Sequence, residues 1–102
     1  MTKQHTPGPW TTQQSSRTEI YIVANSAEVK NKWVATSCNH EFHPTEEENE
    51  RNKANARLIA AAPEMLEALQ GFQKAWAENR PLTSDEAANI RAAIAKATGG
   101  AA

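Results

Sequence analysis

A chain of 102 residues with 39% hydrophobic and only 6% aromatic residues holds material for one modest core, and such a chain gains from oligomerisation. Eleven Lys and Arg against twelve Asp and Glu leave a formal charge of −1, which offers no field to attract nucleic acid or an anionic membrane and argues against a non-specific DNA binder. No apolar run approaches the ~18 residues of a membrane span, the start MTKQHTPGPW lacks an apolar signal core, and the lone Cys38 closes no internal disulfide; a reducing, cytosolic location is expected.

In HTPGPW, His5 through Trp10, two prolines stiffen the approach to a first strand and the indole anchors it. Trp10 to Gln14, Glu19 to Ala24 and Lys32 to Ser37 carry the β-branched and aromatic residues. Ser15-Ser16 and Asn25-Ser26 suit the turns between them, so a three-stranded antiparallel meander is predicted. In the middle strand Ile20 and Ile22 point one way, Tyr21 and Val23 the other. One face is expected on the helices, and the other against a partner subunit or over part of a pocket.

Composition switches near residue 44 from strand formers to helix formers. Thr45 with Glu48 makes a capping box behind Pro44, which predicts a helix from Thr45 to Ala62 that ends or kinks at Pro63. A second segment should run to about Asn79 and stop at Arg80-Pro81. The third starts at a second capping box, Thr83 with Glu86, and ends near Gly99-Gly100. Leu58, Ala62, Met65, Leu69, Phe72 and Trp76 alternate steps of four and three, a heptad-like seam that packs on another helix of the chain or of a partner. Ala87, Ile90, Ala93, Ile94 and Ala97 give the third helix a narrow face for close packing. The expectation is one α+β domain over 1–102: a β-rich half to 43, a helical half over 44–98 and a frayed tail over 99–102.

Chemistry-bearing patterns are sparse. Cys38, His40 and His43 offer thiolate and imidazole, but C-x-H-x-x-H fits no common zinc frame, and a solvated loop is the plainer reading. The same residues make no recognisable nucleophile–base pair, and the four glycines form no phosphate-cradling loop. Glu46, Glu47, Glu48 and Glu50 serve the positive end of the first helix dipole. No enzyme activity, metal or cofactor is expected.

Binding fits the residues better. A flat anionic ligand needs an apolar ring to stack on, cations or amide donors for its charge, and amides for its polar edges. Phe42 is the aromatic of the strand-to-helix loop, and Arg51, Asn52, Asn55 and Arg57 follow on the helix. Arg51 and Asn55, four apart, share a side, and Asn55 sits near the edge of the apolar stripe.

HTPGPW together with NARLIAAAPEMLEAL, Asn55 through Leu69, resembles small phage and prophage proteins, and the two-part layout is similar to the first family of Thoeris anti-defence proteins. The resemblance implies a phage-encoded sponge. Such a protein sequesters glycocyclic ADP-ribose signals, or cyclic oligonucleotides in some relatives, without cleaving them, as a dimer-based homo-oligomer of up to six chains in the cytoplasm of the infected bacterium. It also implies an upstream aromatic as ligand contact, Phe42 or Trp33, and a helical asparagine, Asn55 or Asn52. The alternative is a phage interaction protein that inhibits a host protein through its helical surface.

Overall fold

The computed structural model describes residues 5–26, 30, 32–39 and 44–100. Within them lie β1 (Trp10–Gln14), β2 (Glu19–Ala24), β3 (Lys32–Cys38), α1 (Glu46–Ala60), α2 (Ala62–Ala77) and α3 (Ser84–Thr98). The sheet is the antiparallel meander β1-β2-β3 expected from the alternation.

Ile20, Ile22 and Ala24 are buried on the inner face of β2. The two isoleucines cluster with Ala56 and Ala60 of α1, and Trp10, Val34, Ala35 and Ile59 close the margins. Ile22 is fully buried, which stabilises the layer by about 2–3 kcal/mol. Alanines on the helix side let α1 lie close to the sheet.

A register irregularity falls between Ile22 and Val23: Ile22 pairs with Ala35, but Val23 pairs with Trp33. Simple alternation would put Trp33 on the face of Ala35 and Ser37, toward α1. The extra residue, Val34, turns inward instead, and Trp33 emerges on the outer face.

Both predicted capping boxes are present. Thr45 Oγ1 accepts from the Glu48 amide at 3.1 Å and the Thr45 amide donates to Glu48 Oε1 at 2.9 Å; Thr83 and Glu86 repeat the pair at the same distances. The first helix stops at Ala60, not Ala62, because the Ala61 amide caps it on Arg57 and Leu58 carbonyls while Pro63 opens α2. The second ends where Asn79 takes a positive φ of 51° and the Arg80 amide reaches the Ala75 carbonyl at 3.1 Å. A left-handed asparagine therefore terminates α2 just ahead of Arg80-Pro81.

The heptad-like seam is divided by the break at Ala61, and most of it is not core. Leu58, Leu69, Phe72 and Trp76 are exposed, whereas Ala68, Ala75 and Ala93 are buried. Small residues allow α2 and α3 to approach closely, which leaves the large side chains outside the contact. Lys96 clips the hairpin to Glu64 at 2.7 Å. The radius of gyration, 15.9 Å, exceeds the ~13 Å of a compact chain of this size, so the molecule is elongated.

Candidate functional site

Trp33 stands 62% exposed on the outer face of the sheet. Its indole Nε1 donates to the Ala35 carbonyl at 3.0 Å and to Thr36 Oγ1 at 2.9 Å. One ring face meets Tyr21, with centroids 4.7 Å apart and planes tilted by 43°. Hydrogen bonds on the edge and an aromatic neighbour hold the ring in one orientation, so little conformational freedom remains to be lost when a flat group stacks on it. Tyr21 was not among the sequence candidates. Its outward parity on β2 was legible, but its pairing with Trp33 depends on the irregularity in β3.

The helical candidates separate. Asn52 is buried, and its Nδ2 donates to the Thr18 and Ser37 carbonyls at 3.3 Å each while Oδ1 accepts from Ser37 Oγ. This amide braces α1 against the sheet, which corrects its expected place at a ligand surface: all its hydrogen-bonding capacity faces inward. Asn55 is exposed. Arg51 is exposed and pairs with Glu47 at 3.3 Å, a contact of small energetic weight in solvent. Arg57 lies against Gly99 at the end of α3, and its Nε is buried without a hydrogen bond. Trp33 is on the opposite side of the sheet from α1, so one copy does not bring it together with these helical residues.

Phe42, His40 and His43 lie outside the described residues. Cys38 is exposed beside Glu19 on the sheet, and no cluster of three or more metal-ligating side chains occurs among the described residues.

A second polar surface forms where the β1–β2 turn meets the start of α1. Gln14, Ser16, Arg17, Glu46, Asn49 and Lys53 line an open cleft of about 410 Å³. Asn49 and Lys53 share a side of α1 by their spacing of four. Only the tertiary fold adds Arg17, because its approach depends on how the turn overhangs the helix. Asn49 Oδ1 is buried there without a hydrogen bond, and Lys53 pairs with Glu50 at 3.2 Å.

Fold and surface define a small α+β protein whose sheet shows an aromatic pair to solvent and whose helices show an apolar row. No helix among the described residues is long and apolar enough to cross a membrane. The chain belongs to the family described as Salmonella phage P22 protein Y8K6, whose model matches residues 1–101, which makes it a phage protein. Neither a curated protein nor a solved structure matches it.

Proposed function

We propose that this phage protein is an anti-defence sponge that holds a cyclic nucleotide signal of the glycocyclic ADP-ribose type without cleaving it, in the cytoplasm of the infected bacterium. The observation that carries the reading is the Trp33 ring, pinned at its edge and backed by Tyr21, with the remaining face open to solvent. A purine stacks on such a surface for about 1–3 kcal/mol. Phosphates need cations and amides, and another copy supplies them when the pocket is shared between chains, from the Arg17, Asn49 and Lys53 cleft or from Asn55 and Arg57. A sponge acts by mass action, so tight binding, slow release and abundance set its potency.

The test is to mix purified protein with cyclic ADP-ribose isomers and cyclic oligonucleotides, ultrafilter, and quantify each nucleotide before and after heat denaturation. One nucleotide should vanish and return intact on heating. Trp33→Ala should weaken its retention roughly 5- to 150-fold, as loss of one stacking contact predicts. A nucleotide that is lost with a product appearing means an enzyme, and nucleotides that all stay free end the sponge reading. The exposed row on α2 favours a second reading, inhibition of a host protein through the helical surface. That reading leads if the protein is monomeric and leaves every nucleotide free.

A further inference from the structure

Leu69, Phe72 and Trp76 on α2 and Ile94 on α3 are exposed to 67%, 48%, 77% and 53%. Leu69, Phe72 and Ile94 border a groove of about 430 Å³ floored by Ala68 and Ala93 and lined by apolar side chains alone, and Trp76 extends the row beyond it, stacked on Phe72. We propose that this face is covered by a second copy of the chain, α2 lying antiparallel on its counterpart, so that two α2–α3 hairpins close a four-helix core.

Area is the first argument for that occupant. At ~200 Å² for a fully exposed large side chain, the four residues present on the order of 500 Å² of apolar surface. A standard interface removes ~800 Å² from each partner, and about 65% of that is apolar in homodimers. The face thus matches what a stable dimer requires and lies at the upper end of the ~300–600 Å² found on ordinary monomers.

Symmetry is the second. Two-fold contacts must be self-complementary, and the row is symmetric about a point between Gln70 and Gly71. An antiparallel copy centred there sets Leu69 against the partner's Phe72, and Met65 against the partner's Trp76. An aliphatic side chain then faces an aromatic one at each of these positions. Charge is the third argument. At 100° per residue, Met65, Leu66, Leu69, Phe72, Gln73 and Trp76 share one uncharged arc, while Glu67 and Lys74 fall on the far side of the helix. Two identical faces therefore meet without opposing like charges. The groove between α2 and α3 gives the partner's row a place to sit.

This pairing does not rest on the nucleotide reading, and its readout needs no ligand. Sedimentation velocity on the full chain over roughly 1–100 μM should show a dimer, with Trp76→Glu monomeric throughout, a loss of at least about tenfold in affinity. Trp76 is the most exposed of the row, so its far-UV circular dichroism should match wild type; Leu69→Glu is a second disruptor. The register is checked by mixing Leu69→Cys and Phe72→Cys chains, both carrying Cys38→Ser, under oxidation. The two should form a mixed disulfide in preference to either symmetric one. A wild-type monomer over the whole range overturns the proposal and leaves the face to another partner. A dimer unmoved by both Glu variants overturns it as well, by placing the interface elsewhere.

Discussion

Asn52 shows how a polar residue becomes structural. Its amide adds a second tie to the sheet, donating to the Thr18 carbonyl, which also accepts from the Asn39 amide at 2.8 Å, and to the Ser37 carbonyl. Asn52→Ala should lower stability by about 2–3 kcal/mol, measured by urea unfolding. Asn52→Asp should cost more at neutral pH, because a carboxylate would face two carbonyl oxygens. Two glycines make an opposite pair. At Gly71 a Cβ would meet only Glu86 Cγ at 3.7 Å, an ordinary contact, so Gly71→Ala should stabilise α2 by about 0.5–1 kcal/mol. Gly99 has φ +77° and its Cβ would lie 2.8 Å from Arg57 Nε, so Gly99→Ala should destabilise by about 1–2 kcal/mol. Thermal melts of the two variants should move in opposite directions. The positive φ at the end of α3 was legible from the sequence, whereas Arg57 as the obstacle was not, since it lies on another helix.

At the scale of elements, the connection from α2 to α3 is held by one arginine. Arg80 meets Glu86 with Nη1 and Nη2 at 2.8 and 3.0 Å and Glu78 with Nε at 2.7 Å. Glu86 also closes the capping box, so a single carboxylate fastens the connection and starts the helix. Hydrogen bonds from Arg80, then from the Thr83 backbone, lower its pKa from 4.5 to about 2. The Thr45 backbone and side chain lower that of Glu48 in the same way. A carboxyl whose folded pKa is depressed stabilises the fold fully above its unfolded pKa, and that contribution fades as pH falls through the folded one. The melting temperature should therefore fall between about pH 4.5 and pH 2. Glu86→Gln should flatten that slope, while Glu48 keeps part of it, in thermal melts followed by circular dichroism. The capping boxes were readable because Thr-x-x-Glu is a local pattern. The grip of Arg80 was not: residues two before and six after it had to be folded around the corner.

On the scale of the whole molecule, the β layer and α1 form a small core built on two isoleucines and two alanines, and the α2–α3 hairpin contributes a second contact made of alanines. The elongated shape follows from this division, because neither unit has enough large side chains to wrap the other. The large apolar residues of α2 are left outside. That is the physical case for a second copy, and the reason the predicted assembly should be visible without any ligand.

The order of the elements, the meander, both capping boxes and the inward face of β2 were determined by the sequence itself, since each depends on neighbours within a few positions. The same locality made the seam on α2 legible as an apolar stripe. That most of it stays outside the core was decided by tertiary structure, because alanines at Ala68, Ala75 and Ala93 win the closer helix contact and exclude the bulkier row. Tertiary structure likewise decided that Asn52 turns inward, that Arg17 lines one cleft with Lys53, and that one unpaired residue in β3 carries Trp33 to the outer face beside Tyr21. Each of these depends on register or on the meeting of distant segments, which periodicity along a single chain does not encode.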